Sequence, residues 1–492
     1  MHHEHQQTHH RHELGKTVLP IQAWALAVGA IIGWGCFILP GTRFLPVSGP
    51  LASLIGLAAG AAALCIVALC YGIMIKGYPV AGGAFAYAFV GLGRLAAVVC
   101  GWGLALSYSC VISLNATAIL LLTRFLLPGA FETGHLYTLA GWNVYAGEII
   151  LISLIILFFA FMNYRGSNCA NTVQLWLSLS LAAGVVALAV GSGIDDGAGI
   201  ANLEPLYNEQ TGLLVSIISV VALAPFLYQG FDTIPQTAEE FNFSHDKSTM
   251  LMVVSIVCGC VLYSLVLVAV AVIRPYPELL AADHPWLTGT VAGMAFGKWG
   301  GVILAVPVLA GIFSGMNGYF IASTRILFSM GRSKFIPAWF ERIHPEHKTP
   351  VNAILFVLLF SLLAPWFGRP VLVWLTDTCA LSAALSYFFT CYSAYRYSLR
   401  HADRVTLPFA RQIAFLGCVI SVASFFLLAV PGSPAAISAE SWGLLLVWCV
   451  LGTLLYRRRA PELSAISTER LQFMLLGDTA RPLLFTEGKI FR

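Results

Sequence analysis

Apolar stretches long enough to cross a membrane fill nearly the whole sequence, with polar residues confined to the short segments between them. A membrane-spanning helix needs about 20 mostly apolar residues. Only 10% of the 492 residues are charged, whereas soluble domains carry roughly 25%. The weaker alternating pattern of a membrane β-barrel does not occur in the sequence. We therefore predict an all-α polytopic membrane protein embedded in a lipid bilayer. The net charge of +4 is mild, and no nucleic-acid partner is expected.

Hydropathy predicts twelve transmembrane helices. The predicted spans are 20–44, 50–75, 95–127, 146–163, 168–193, 213–238, 249–273, 299–331, 351–367, 371–396, 409–430 and 441–457. The basic residues support this count, because Lys and Arg accumulate on the cytoplasmic side of membrane proteins. With the N-terminus inside, only five of the 27 fall on the outer side. These five are Arg43, Arg124, Arg274, Lys298 and Arg369. The sequence thus predicts a multi-pass protein of the cell (inner or plasma) membrane with both termini in the cytoplasm.

Two of the predicted spans are interrupted by residues that do not suit a membrane helix. The first interruption is GAIIGWGCFILPG at 29–41, and the second is PFLYQGFDTIPQTAEE at 225–240. In lipid, backbone groups freed from a helix are tolerated only where they are buried in protein or line a cavity. Two such interruptions in corresponding halves of a chain are the best sequence indication of a transporter binding site.

The interruptions lie in the first and sixth spans, which divides the chain into two five-helix units. Adjacent units with an odd number of spans have opposite orientations in the membrane, so the count predicts a 5+5 inverted repeat. The predicted units are a cytoplasmic His-rich tail at 1–19, repeats at 20–193 and 213–397, helices 11 and 12 at 409–457, and a cytoplasmic tail at 458–492. The histidines suit a disordered extension, with metal binding as the alternative.

The first interruption offers backbone N–H groups. Gly29, Gly33 and Gly35 permit close backbone approach and unusual dihedral angles. If the helix unwinds there, the next half-helix starts with free N–H groups and the positive end of its dipole, which suits a carboxylate. Alternatively, the glycines serve close packing between helices.

The second interruption offers carbonyl groups, aromatic rings and one acid. Pro225 and Pro235 remove hydrogen-bond donors and Gly230 loosens the backbone, which frees carbonyls for an ammonium group. Asp232 lies at mid-span, where a carboxylate needs a cavity or a partner. It has a functional role or, alternatively, caps the second half-helix.

These segments resemble the amino acid–polyamine–organocation superfamily of permeases. Besides the first interruption, the similar segments are YGIMIKGYPVAGGAFAY (71–87), NYRGSNCANTVQ (163–174), GFDTIPQTAEE (230–240), IASTRILFSMGR (321–332) and WLTDTCALSAALSY (374–387). The resemblance implies a leucine-transporter-type fold with discontinuous helices 1 and 6 and a site between helices 1, 3, 6, 8 and 10.

The resemblance also implies roles for individual residues. The predicted substrate-binding residues are Ile32, Gly33, Trp34, Gly35, Pro225, Phe226, Leu227 and Gly230. The backbone amides of the first four would hold a carboxylate, and the carbonyls of 225–227 would hold an amine. Phe226 falls where family members place a gating aromatic residue, and Asp232 where they carry an acid tied to proton or gating behaviour.

The sequence departs from the family pattern at three places. Trp34 stands where members often have Ser or Thr, which suggests a smaller or differently shaped carboxylate pocket. The segment 168–193 contains neither Lys nor Arg, although proton-coupled members often carry a Lys there. Ser333 and Lys334 replace the usual Asp-Gly after the eighth-span arginine.

Further candidates lie outside the two interruptions. Asp377 is a proton-site or gating candidate, or alternatively an acid at the outer mouth. Ser323 and Thr324 are weak candidates for a sodium site, and no other metal site is expected. Glu239 and Glu240 could form a cytoplasmic ion-pair lock with Arg165, Lys247 or Arg325, or an ordinary solvated helix end.

Together these features predict a secondary active transporter of amino acids rather than an enzyme. We expect proton-coupled symport without a cofactor, with sodium as the alternative coupling ion. Amino acid exchange and an ethanolamine or polyamine carrier are alternatives, and a nutrient sensor with the transporter fold is the alternative outside transport. The expected partner is a small amino acid or amine, and the sequence does not indicate an oligomeric state.

Overall fold

The computed structural model describes residues 16–282, 284, 286–368, 371–433 and 435–477. Of the described residues, 77% are helical. Its α-helices are α1 Pro20–Ile32, α2 Gly35–Leu39, α3 Pro50–Gly77, α4 Gly83–Leu92, α5 Arg94–Leu126, α6 Ala146–Arg165, α7 Ser167–Gly193, α8 Leu213–Val221, α9 Ala224–Leu227, α10 Thr233–Gln236, α11 Asp246–Val272, α12 Tyr276–Ala281, α13 Leu287–Phe296, α14 Gly300–Arg332, α15 Val351–Ser361, α16 Val371–Arg400, α17 Ala410–Ala429, α18 Ala439–Ala465 and α19 Thr468–Leu476.

Ten helical stretches in the described part of the chain are long and apolar enough to cross a membrane. They correspond to ten of the twelve predicted spans. The predicted span 213–238 is divided into α8, α9 and α10, and 351–367 is a shorter apolar helical stretch, Val351–Phe367. The protein is thus a multi-pass membrane protein, as predicted.

The prediction of a purely helical chain is wrong at one place, because residues 135–145 form a β-hairpin. Strands β1 His135–Leu139 and β2 Trp142–Tyr145 pair antiparallel. Ala140 and Gly141 between them both have positive φ, at 47° and 78°. A two-residue turn with this geometry matches the twist of a hairpin. The short helices α4, α12 and α13 were also not predicted, and α18 continues to Ala465, past the predicted start of the tail at 458.

The interrupted first helix lies at the centre of the helical assembly. Helix α1 packs against α7, α11 and α14, while α5 packs against α14 and α16. Helices α17 and α18 lie at the periphery and are mostly exposed. A reciprocal pair fastens α18 to α5, because each indole N–H of Trp102 and Trp448 donates to the other residue's carbonyl, at 3.0 and 2.9 Å.

The end of the assembly at which α1 begins is called the N-terminal face here. At this face the backbone N–H groups of Thr17 and Val18 both donate to the carbonyl of Glu240 at 2.9 Å. The first chain segment is thereby tied to the end of the sixth-span region. The predicted tails lie largely outside the described residues, at 1–15 and 478–492, as does Arg369.

Candidate functional site

The first interruption lies at the glycines that the sequence singled out. Helix α1 ends at Ile32, and Gly33 takes a φ of +45° that favours glycine. The Gly33 N–H still reaches the carbonyl of Gly29 at 3.3 Å, and helix α2 starts at Gly35. On the other side, Gly311 of α14 lies so close that a Cβ built on it would be 2.5 Å from the Gly33 carbonyl oxygen. The break is therefore buried against α14 rather than exposed to lipid.

The second interruption is held open by Asp232. Residues 228–232 form turns between α9 and α10, and Gly230 has a φ of +133°. The carboxylate of Asp232 is fully buried and accepts two hydrogen bonds, from the Gly230 N–H at 2.9 Å and from the Tyr108 hydroxyl at 2.8 Å. Its side chain makes no capping bond to α10. Asp232 thus fixes the non-helical turn and links it to α5.

The two interruptions are in direct backbone contact. A Cβ built on Gly230 would lie 2.6 Å from the backbone nitrogen of Ile31 and 2.9 Å from the carbonyl carbon of Ala30. The hydroxyl of Tyr319 on α14 lies 2.7 Å from the Gln229 carbonyl oxygen and 3.3 Å from that of Ala30. Tyr319 therefore joins both interruptions. Sequence reasoning missed Tyr319, because its two partners lie far away in the chain.

A vestibule of about 360 Å³ opens to the face opposite the N-terminal face. Its lining includes Trp34, Gly35, Ile38, Leu121, Leu223, Phe226, Trp286, Leu287, Thr376 and Asp377. The indole N–H of Trp34 has no hydrogen-bond partner among the described residues, although the side chain is only 8% exposed. The structure thus brings Trp34 and Gly35 of the first interruption together with Phe226 of the second.

The remaining predicted substrate-binding residues lie behind this wall. Ile32 and Leu227 are each 1% exposed, and Pro225 is also buried. Gly33 is buried against α14, and Gly230 is buried where the second interruption contacts Ala30 and Ile31. None of these five lines the vestibule.

Ion pairs close the N-terminal face. The guanidinium of Arg325 donates to both carboxylate oxygens of Glu240 at 2.8 and 3.2 Å, and both side chains are almost completely buried. Arg332 pairs with Glu239 in the same way at 2.8 Å. The predicted partners for Glu239 and Glu240 were Arg165, Lys247 and Arg325. The structure pairs Arg325 with Glu240. Sequence reasoning missed Arg332, which lies seven residues further along α14 on the same helix side.

The weak sodium candidates do not converge on a common point. The Ser323 hydroxyl is 3.1 Å from that of Ser109. The Thr324 hydroxyl donates to the carbonyl of Phe320 and accepts from Arg325. Among the described residues, no group of three or more His, Cys, Asp or Glu side chains could hold a metal ion.

Asp377 lies at the mouth of the vestibule, two turns into α16. One carboxylate oxygen accepts hydrogen bonds from the Ser438 N–H at 3.0 Å and the Ser441 hydroxyl at 2.9 Å. Ser438 is the N-cap of α18. The acid therefore anchors the start of a peripheral helix as well as contributing to the vestibule wall.

Replacing Asp377 separates these two contributions. We expect Asp377→Ala to lower stability by about 1–2 kcal/mol, because two bonds to a charged acceptor are lost. The stability of Asp377→Asn should stay near that of wild type, since the amide oxygen of asparagine can accept the same two hydrogen bonds. Thermal unfolding in detergent and uptake into proteoliposomes measure both variants. A stable Asp377→Asn protein that fails to transport would assign the charge itself to gating.

Comparison with known proteins identifies the family. A sequence profile of amino acid permeases matches residues 20–455. The chain belongs to this amino acid permease family. The permease is 26% identical over 459 residues to the methylthioribose transporter of Bacillus subtilis (strain 168), covering 90% of this chain and 93% of that protein.

Two further relatives are also transporters. The vacuolar cationic amino acid transporter 4 of Arabidopsis thaliana is 28% identical over 370 residues, covering 70% of this chain and 57% of that protein. The branched-chain amino acid permease BcaP of Bacillus subtilis (strain 168) is 26% identical over 338 residues, with 67% and 70% covered. The predicted superfamily is confirmed, and the permease is a transporter rather than an enzyme.

Proposed function

We propose that this permease moves amino acids across the cell membrane by alternating access. In such a mechanism one central site is exposed first to one face and then to the other. The observation that carries the proposal is the contact between two interrupted helices directly beneath a vestibule, with buried ion pairs at the opposite end. We take this arrangement as an outward-facing state whose cytoplasmic side is closed.

The membrane arrangement is part of the proposal. We take α8–α10 as the sixth span and α15 as the ninth, which gives twelve spans and a 5+5 inverted repeat. The N-terminal face is then cytoplasmic, because it carries the basic segments at 332–348 and 396–411. The vestibule opens to the outside.

The proposed substrate position uses backbone groups of both interruptions. Helix α2 begins at Gly35 after a break, and the positive end of its dipole suits a carboxylate, although the Phe37 N–H already donates to the Trp34 carbonyl at 3.0 Å. The carbonyls of 225–227 suit an ammonium group, and Phe226 would close over the substrate from the vestibule side. Trp34 and Phe226 share the vestibule wall, which supports a site directly beneath them.

Uptake into proteoliposomes tests the transport function. The panel contains labelled branched-chain, cationic and small neutral amino acids, with ethanolamine, putrescine and methylthioribose as the other substrate classes. Each is measured with a pH gradient, with a sodium gradient and with internal substrate alone. We expect at least one amino acid to accumulate under an inward proton gradient. Accumulation of methylthioribose alone would overturn the amino acid proposal, and uptake that requires only internal substrate would replace symport with exchange.

Asp232 is proposed as the proton-coupling group. It is a fully buried carboxylate that holds the second interruption, so its protonation would change the bonds to Gly230 and Tyr108. We expect Asp232→Asn to abolish proton-driven accumulation and to retain substrate exchange within about threefold. Both processes are measured in the same proteoliposomes.

Tyr108→Phe is the matched control for Asp232→Asn. It removes one hydrogen bond to the acid and leaves the carboxylate in place. Proton-driven accumulation should therefore survive in this variant. If Asp232→Asn still concentrates substrate under the pH gradient, another group carries the proton.

Trp34 is proposed to limit substrate size. Its ring occupies the vestibule wall above the first interruption. Trp34→Ser should extend uptake to bulkier amino acids, and Trp34→Phe should retain most of the selectivity because a large ring remains. Competition of labelled uptake by amino acids of increasing side-chain volume measures the change. An unchanged order of competition in Trp34→Ser would assign Trp34 to packing.

A further inference from the structure

A second cavity lies at the N-terminal face, remote from the vestibule. It measures about 260 Å³ and is bounded by α3, by the start of α11, and by the end of α16 and the segment that follows it. We infer that this cavity binds the phosphate group of an anionic phospholipid, with Lys76 and Arg404 as its cationic ligands.

The charges on the cavity wall favour an anion. Lys76 and Arg404 both line the cavity, and no carboxylate does. Among the described residues, Arg404 forms no ion pair. Lys76 lies 3.2 Å from Asp246, but both side chains are substantially exposed, and exposed pairs are weak. Asp403 precedes Arg404 in the chain and is exposed outside the cavity wall.

Hydroxyl groups supply further hydrogen-bond donors. Thr249, Thr406 and Tyr397 also line the cavity. The hydroxyls of Tyr397 and Thr406 stand on the same wall as Lys76 and Arg404 and can donate to phosphate oxygens, and hydrogen bonds to an ionised acceptor are stronger than neutral ones.

The apolar surroundings favour a lipid over a free phosphate ion. Leu69, Ile73, Val405 and Leu407 make up much of the remaining wall. A stripe of exposed apolar side chains runs along α11 towards the opposite face, and it starts at Met250, next to Thr249. Its members are Met250, Val254 and Val257, with 59%, 40% and 49% of their surface exposed. Acyl chains lying on this stripe would continue directly from a headgroup in the cavity.

The position in the membrane agrees with this assignment. The cavity lies at the face that carries the basic segment 396–411, the side on which anionic lipid attracts Lys and Arg. Basic pockets between transmembrane helices on this side suit lipid headgroups. The inference depends on the membrane orientation and not on the transported substrate.

Native mass spectrometry of the purified full-length permease tests the inference. The probes are phosphatidylglycerol and phosphatidylcholine with identical acyl chains, each titrated into detergent. We expect wild type to prefer phosphatidylglycerol and Lys76→Gln/Arg404→Gln to bind it about tenfold more weakly, since each cation contributes to anionic lipid binding. Lys76→Arg/Arg404→Lys should retain the preference, which separates lost charge from misfolding.

The matched control is Arg457→Gln/Arg458→Gln. It removes the same charge from exposed arginines near the end of α18, on the same face and outside the cavity wall. This control should bind phosphatidylglycerol as wild type does. If both double variants bind phosphatidylglycerol equally weakly, the effect is a diffuse one of surface charge and the proposed site is wrong. The proposed site is also wrong if Lys76→Gln/Arg404→Gln binds phosphatidylglycerol as tightly as wild type does. Inorganic phosphate tests the alternative occupant. If it raises the melting temperature of wild type but not of Lys76→Gln/Arg404→Gln, and both proteins show the same preference between the two lipids, the cavity binds a soluble phosphate and the lipid assignment is wrong.

Discussion

Gly230→Ala is expected to reduce transport at least about tenfold. A Cβ at this position would lie 2.6 Å from the backbone nitrogen of Ile31, and backbone cannot move aside as a flexible side chain can. The φ of +133° adds strain of about 1–3 kcal/mol for any residue other than glycine. Because both effects act where the two interruptions meet, the new methyl group would force them apart. Initial uptake rates at equal amounts of reconstituted protein measure the loss.

Gly103→Ala is the matched control for Gly230→Ala. Gly103 lies in α5, also within a predicted span, and a Cβ there would meet nothing within 4 Å. Alanine is the better helix former, so this variant should keep full activity and gain slightly in stability. Uptake by Gly230→Ala within twofold of wild type would show that the contact between the interruptions is not needed for transport.

The sequence is sufficient to locate the interruptions because the chemistry of lipid leaves few alternatives. Where glycine and proline break an apolar span, the freed backbone groups must be buried in protein or line a cavity, whichever helices provide that surrounding. The run from Gly29 to Gly41 and the segment around Gly230 could therefore be assigned before any packing was known. The same reasoning predicted a cavity or a partner for Asp232, and the structure shows a partner, Tyr108 on α5.

Partners distant in the chain could not be predicted in this way. Tyr319 contacts residues about 90 and 289 positions away, and no local pattern encodes such a meeting. The bond between Asp377 and the start of α18 likewise depends on where a peripheral helix packs. The hairpin at 135–145 was missed for a different reason, since the segment between the predicted spans 95–127 and 146–163 was treated only as a connection. Tertiary packing decides the first two.

Breaking the buried ion pair at the N-terminal face is expected to move the permease away from the outward-facing state. Glu240→Gln leaves the Arg325 guanidinium buried without a counter-charge, which costs about 3–5 kcal/mol in comparable sites. That cost is relieved if the N-terminal face opens to water. Since the two faces open alternately in the proposed mechanism, the vestibule should then close.

Labelling in the vestibule measures this shift separately from stability. A Thr376→Cys side chain lies in the vestibule wall, and its reaction with a membrane-impermeant thiol reagent reports access, after subtraction of the labelling of the natural cysteines. We expect Glu240→Gln to slow this reaction severalfold. Glu341→Gln is the matched control, because its pair with Lys334 is about one-third exposed and exposed pairs contribute only about 0–1 kcal/mol. Unchanged labelling in Glu240→Gln, together with a lower melting temperature, would mean that the ion pair only stabilises the fold and that another contact closes the N-terminal face.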